Sequence, residues 1–206
     1  MAHHYAEIAA EIGEPLRDYA DADAYFWFME GSRELAEASD EDAPAAFARW
    51  LRGAVDRLDM LVDHETAVRV MQHHGHICAR MHPEHAEKVL SDRRECDSLE
   101  AYIDGEPSLT LEGDVVYSDY GLTPEPGGMR CYCSFWQPLP EGEHISLTWC
   151  NCAAGHATAV WEQLLGEPVR VDVLESCMAG GNACRFAIHL PEGWRESQPR
   201  PAEDVG

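Results

Sequence analysis

The sequence predicts an α+β fold: an N-terminal helical subdomain followed by a small antiparallel sheet with one packed helix. Three observations predict it. Up to about residue 105, apolar residues recur at spacings of three and four. Beyond Gly105, short β-leaning runs alternate with Gly and Pro punctuation. One further helical stripe lies between residues 153 and 166. The expected organisation is a helical domain over 1–105, a cysteine-rich α+β domain over 106–192 and a disordered tail over 193–206.

Residues 19–38 read as helical, with Tyr25, Phe26, Trp27, Phe28 and Met29 forming a dense apolar knot. The next helix carries Phe47, Trp50, Leu51, Ala54, Leu58, Leu61 and Val62 on one stripe, leaving Arg49, Arg52, Asp56 and Asp59 outside it. Asp63 is a suitable N-cap for a helix bearing Ala67, Val68, Met71, Gly75 and Cys78, which Pro83 must break. Asp97-Ser-Leu-Glu100 has the spacing of a capping box and opens a short helix around 101–103. Residues 108–111 and 115–117 read as weak strands within a linker. The runs 129–137 and 144–152, separated by PLPEGE, read as a β-hairpin. A helix over 153–166, with Val160, Trp161, Leu164 and Leu165 on its apolar face, ends at glycine; strands at 169–175 and 185–190 follow. The tail PEGWRESQPRPAEDVG is polar and proline-broken.

Composition narrows the function classes. The 206 residues carry 38 Asp and Glu against 15 Lys and Arg, a formal charge of −23, spread over both halves. Nucleic-acid binding needs clustered Lys and Arg to neutralise phosphates, so it is excluded as an expectation. The start of the chain lacks the positive n-region of a signal peptide, and no apolar run approaches the ~20 residues of a membrane span. A cytoplasmic protein with no membrane or nucleic-acid partner is expected. In that compartment eight cysteines point to metal or redox chemistry rather than to a disulfide framework.

Six of the eight cysteines lie between 131 and 184. On a strand, residues i and i+2 share a face, so Cys131 and Cys133 present both sulfurs to one side, as do Cys150 and Cys152. A hairpin centred near residue 141 would place Cys131 opposite Cys150 or Cys152, and all four thiolates would converge as zinc or an iron–sulfur cluster requires. Small buried cysteines packing a core are the competing reading. Glu175-Ser-Cys177 and Cys184 flank a turn containing Gly180-Gly181, which could bring two sulfurs and a carboxylate together to share a zinc ion; an ordinary hairpin with cysteines at its ends is the competing reading. On the helical half, His74, Cys78 and His82 stand at i, i+4 and i+8 of one helix face, amid five histidines in thirteen residues. They read either as ligands for zinc or iron, or as a half-exposed cover over an apolar stripe. Cys78 is also a candidate catalytic nucleophile if neighbouring imidazolium favours its thiolate.

The succession of cysteine-bearing segment, Gly-containing helix, strand and then Glu175-Ser-Cys177…Gly…Cys184-Arg-Phe resembles the 4-vinyl reductase domain family. It is also similar to the L-2-amino-thiazoline-4-carboxylic acid hydrolase group, which shares the closing Gly…Cys-x-Phe signature. The resemblance covers about residues 131–190. It implies a zinc site from Cys152 (or Cys150), Glu175, Cys177 and Cys184, with the glutamate one residue closer to its cysteine, and the cysteine pair one residue tighter, than in the family pattern. It further implies a pocket for a small apolar or aromatic ligand over the sheet, with Phe135, Trp136, Trp149 and Trp161 as lining.

Two function classes follow. One is a zinc-stiffened module binding a small organic ligand, its helical half serving as a lid or as a homodimer surface. The other is a cysteine- or metal-dependent enzyme acting on a small sulfur- or nitrogen-containing compound, or an iron-containing redox protein. The first requires closed tetrahedral sites, the second an open metal position or an exposed low-pKa thiol.

Overall fold

Helices account for most of the computed structural model, which describes residues 2–120, 131, 133–140 and 142–195. The stripe through Phe47, Leu51, Ala54 and Leu58 is fully buried, but it is only one side of a larger helical assembly. The first element, α1 (Ala2–Gly13), was not anticipated from sequence; it buries Ala9 and Ile12. The helix expected over 19–38 is instead a short α2 (Leu16–Tyr19), then α3 (Ala22–Phe28) and a 3₁₀ turn, Ser32–Ala36. Two devices impose the break. The Asp21 carboxylate caps α3 by accepting from Ala24 N, and the Arg57 guanidinium takes the carbonyls of Trp27, Phe28 and Glu30 at 3.0 Å.

The stripe helix is α4 (Ala43–Leu61). Asp63 caps α5 (His64–Met81) as expected, accepting from Thr66 N. Pro83 breaks the chain there, yet it also opens α6 (Pro83–Arg94), since proline suits the first helical turn. The cap of α7 (Leu99–Gly105) is Ser98, one residue beyond the start of the expected box.

The sheet holds β1 (Leu109–Glu112), β2 (Val115–Tyr120), β3 (Arg170–Glu175) and β4 (Cys184–His189), all antiparallel in the order β1-β2-β4-β3. Before β3 comes α8 (Asn151–Leu165), ended by Gly166 at φ 74°. Gly166 thus supplies the left-handed residue that its position in the sequence suggested.

The hairpin expected over 129–137 and 144–152 is not present among the described residues; part of the first run lies outside them. Residues Ser134–Trp136 and Leu147–Cys150 are 3₁₀ turns instead. Pro138 and Pro140 lack the N–H groups a ladder needs. Trp136, Leu139, Ile145 and Trp149, 3–5% exposed, gain more by inserting between the helices. Residues 193–195 of the expected tail are part of the described fold. Trp194 is buried, its Nε1 donating to Asp114 Oδ1 at 3.0 Å, with Arg195 beside it on the same carboxylate. Residues 196–206 of that expectation lie outside the described set. No described helix is long and apolar enough to cross a membrane.

Two cores result, and each draws on both sides of residue 105. The first combines Ile12, Phe28, Phe47 and Met71 with Trp136, Trp149, Cys152 and Met178. The second combines Leu99 and Ile103 with Val116, Trp161, Ile188 and Trp194.

The cores meet where α5 crosses α8. A Cβ on Gly75 would overlap Cys152 O and lie 2.7 Å from His156 N; one on Gly155 would overlap Gln72 O and lie 2.7 Å from Gln72 Cα. Both obstacles are backbone, so neither helix can accommodate a side chain there without separating. Gly75→Ala and Gly155→Ala are each expected to destabilise the protein by about 3 kcal/mol or more. Gly105→Ala, which meets nothing within 4 Å, is expected to be neutral or slightly stabilising. Urea denaturation of the three variants checks the contrast.

Candidate metal and ligand site

The glycine crossing carries the first turn of α8, and with it Cys152, onto the face of α5 that bears His74 and Cys78. The segment before α8 is fastened separately. Thr148 Oγ1 donates to Asp59 Oδ1 at 2.6 Å, Arg52 pairs with Glu143, and Ile145 N donates to Met178 O at 2.8 Å. These ties hold Cys150 against the β3–β4 turn, where its thiol donates to Ser176 Oγ at 2.9 Å. Across that turn the Cys177 and Cys184 sulfurs stand 3.4 Å apart. All eight cysteines are free thiols.

Cys152 and Cys177 are buried in the first core, and Cys131, Cys133 and Cys184 pack against it. Cys177 is influenced by Cys184, Cys131 and Cys150; Cys152 by Cys133, Cys78, Cys150 and Cys131. Of Cys131, Cys133, Cys150 and Cys152, the last two are carried by a 3₁₀ turn and a helix N-terminus rather than by a hairpin face, with Cys152 in the first core and Cys131 and Cys133 packed against it. Cys78 of the helical half joins them. The spacing of six cysteines pointed to this gathering, but nothing in the sequence marked Ser176, which is 3% exposed and lies against a sulfur.

Burial pushes the thiols strongly toward their protonated form. Cys133, Cys150 and Cys177 are raised to about 12, Cys152 well above its usual value, and Cys131 is raised as well. Three contacts act the other way. The Cys133 N–H donates to Cys131 Sγ at 3.4 Å, the Phe135 N–H serves Cys133 in the same manner, and the Ser176 hydroxyl favours the Cys150 thiolate. Each of these N–H groups lies two residues beyond the sulfur it serves and favours negative charge on it. The donors converge without closing: among the described residues, no three His, Cys, Asp or Glu side chains are arranged to hold a metal ion.

The remaining candidates divide. His74 is 5% exposed, its ring 5.7 Å from that of Trp149, and its Nδ1 has no hydrogen-bond partner. His82 leaves the stack because α5 ends at Met81; its backbone is non-helical and its exposed ring lies 3.3 Å from Glu84. Glu175 spans its own turn, Oε1 accepting from Asn182 N at 2.6 Å. For Cys78, burial and the Glu84 charge both raise the pKa, the opposite of what an activated nucleophile needs.

Phe135, Trp136 and Trp149 interlock in the first core, with ring centroids 5.2 Å apart for the tryptophan pair. Trp161 lines a cavity of about 340 Å³ between α6, α7, α8 and the sheet, together with His85, Lys88, Tyr102, Leu109 and Ser118. Sequence reasoning missed this cavity because its walls come from five separate elements. Beside it, His85 Nδ1 and His156 Nε2 share a hydrogen bond of 2.9 Å with the rings stacked.

No model of a known protein family matches the chain, and neither a curated protein nor a solved structure is similar to it by these comparisons.

His74 and His156 are both held down to about 4 from an ordinary 6.5, in each case chiefly by burial. Their folded pKa values are depressed, so the unfolded chain binds protons first. Their contribution to stability is complete above about pH 6.5 and is lost as pH falls toward 4. Urea unfolding at pH 7 and pH 4.5 is expected to show this loss, and His156→Gln is expected to make it smaller. An unchanged loss in the variant would assign the pH dependence to other groups.

Proposed function

We propose that the protein is a zinc-binding, small-molecule-binding module whose metal position is formed by Cys131, Cys150, Cys177 and Cys184. One observation carries this reading: thiols from three separate segments lie in the same part of the interior, with a backbone N–H directed at the Cys131 sulfur and the Cys177 and Cys184 sulfurs 3.4 Å apart. Packing alone gives no reason for directed donors at buried cysteines. A zinc ion does, since thiolate ligands need compensation for their charge.

The Cys177–Cys184 separation supports it. At 3.4 Å the sulfurs are far outside a disulfide bond of about 2.05 Å and near the ~3.8 Å edge that Zn–S bonds of about 2.3 Å give a tetrahedron. Side-chain rotation of Cys131 and Cys150 would complete the set. Binding exchanges four protons for one zinc ion, so affinity rises with pH. The organic ligand belongs in the cavity beside Trp161, whose volume falls within the range of small-molecule sites and whose lining combines an apolar wall with a few polar groups.

Elemental analysis of protein purified without added metal, combined with thiol titration, tests the metal position. Stoichiometric zinc with protected thiols is the expected outcome; eight freely reactive thiols and no metal would overturn it. Iron with visible absorbance would replace zinc by a redox centre. For the cavity, a thermal-shift screen of small aromatic acids and phenols is expected to give hits that Ser118→Trp, which fills the space, abolishes.

A further inference from the structure

The β3–β4 turn is held by its backbone rather than by its sulfurs. Gly181 N and Ala179 N both donate to Ser176 O, at 2.9 and 3.1 Å, Asn182 N donates to Glu175 Oε1, and Ile145 N fastens the turn from outside through Met178 O. Gly181 is packed so closely that a Cβ there would lie 2.6 Å from Glu175 Cγ and 2.9 Å from Ser176 O. Cys177 and Cys184, seven positions apart, are thus folded back onto each other whatever their sulfurs do, and the sulfurs end 3.4 Å apart. Among the described residues no other two sulfurs are in hydrogen-bonding contact, and the neighbouring Cys150 thiol is engaged by Ser176 Oγ.

Forming a disulfide costs chain entropy when distant thiols must meet and strain when the backbone must move. Here the turn has already met the first cost, and a short approach of the sulfurs separates their contact from a bond of about 2.05 Å. The two thiols also differ in access: Cys177 is 9% exposed, whereas Cys184 is half-buried at the head of β4. Thiol–disulfide exchange uses that difference, since one accessible thiol attacks and a second resolves the mixed disulfide. Burial makes Cys177 a weak acid, but a thiol held in contact with its target needs no encounter.

We propose that Cys177 and Cys184 are a reversible dithiol–disulfide couple, with Cys184 as the attacking thiol and a low-molecular-weight disulfide such as oxidised glutathione as the oxidant. Cys184 gives up its proton and attacks one sulfur of the oxidant, forming a Cys184–glutathione disulfide; the first glutathione leaves as a thiolate and takes up that proton. Cys177, deprotonated in turn, attacks the Cys184 sulfur and forms the Cys177–Cys184 bond, and the second glutathione leaves as a thiol. Two thiols of the chain are oxidised, and one small disulfide is reduced to two thiols. As regulation of the metal position this rests on the four-thiol reading above, because oxidation removes two of the four ligands and expels the ion. As a thiol couple it stands without that reading.

Incubation of the reduced full-length chain with oxidised glutathione, followed by alkylation and trypsin digestion, tests it. Cleavage after Arg170 and Arg185 leaves both sulfurs in one peptide, 171–185. That peptide is expected to be unalkylated and lighter by two hydrogens, and to regain both thiols with dithiothreitol. Cys177→Ser is expected to stop at a Cys184–glutathione adduct that the wild type does not accumulate, and Cys184→Ser to take up no glutathione at Cys177; circular dichroism confirms that each folds. Recovery of the wild-type peptide with both cysteines alkylated overturns the couple. A chromogenic chelator present during the oxidation is expected to report zinc released in step with the disulfide. Zinc retained after the disulfide has formed overturns the regulatory role, and a disulfide formed in a chain that carries no zinc overturns the metal position and leaves the couple standing.

Discussion

Two glycines set the distance between α5 and α8, and most of the molecule's chemistry depends on that distance. With Gly75 against the Cys152 carbonyl and Gly155 against Gln72, the backbones approach more closely than any side chain would permit. The approach has a different consequence on each side. Toward the N-terminal helices it brings His74 beside Trp149 and Cys78 within influence of Cys152. Toward the sheet it fixes the face of α8 carrying Ala154, Ala157 and Trp161, which the second core closes over. One helix therefore belongs to both cores, and a change in its seating would move the thiols and the cavity wall together.

The chain handles charge in two opposite ways. Its acidic excess lies along the whole sequence, where water and salt screen it. Inside, the groups able to become anionic are thiols, kept neutral by burial even where N–H groups and the Ser176 hydroxyl partly oppose it. Carboxylates are almost absent from this interior: Glu175, adjacent in sequence to Ser176, turns outward to close its own loop on Asn182. Soft donors without competing hard ones favour zinc or other thiophilic ions over calcium or magnesium.

The helices were legible because their signals are local. The α4 stripe, the Asp63 cap and the glycine at the end of α8 each declare themselves within a few residues. The strands of the closing hairpin, β3 and β4, were legible for the same reason. The segment around Cys131 and Cys150 was not. Phe135, Trp136 and Trp149 have the composition of strands, and C-x-C has strand spacing, but which neighbours those aromatics find is a tertiary matter. Their burial among α4, α5 and α8 outweighed pairing. Trp194 escaped notice because a single tryptophan in a polar, proline-rich context carries no periodicity, although Asp114 waits for it eighty residues upstream. Of the candidate site, the cysteine positions were readable and their gathering foreseeable. The role of Gly75 and Gly155, the orphaned nitrogen of His74 and the cavity were not, because each is a property of a contact between distant segments.

The glycine crossing also governs how the molecule must come together. Cys78 sits far ahead of Cys152 in the sequence, so their meeting requires a long loop to close, and such closures come late in folding. Until then every thiol is exposed to water with an ordinary acidity, and a larger fraction is present as reactive thiolate than in the finished interior. The nascent chain is therefore more vulnerable to oxidation and to mispaired disulfides than the folded one. A reducing environment matters most during the interval before α5 and α8 dock.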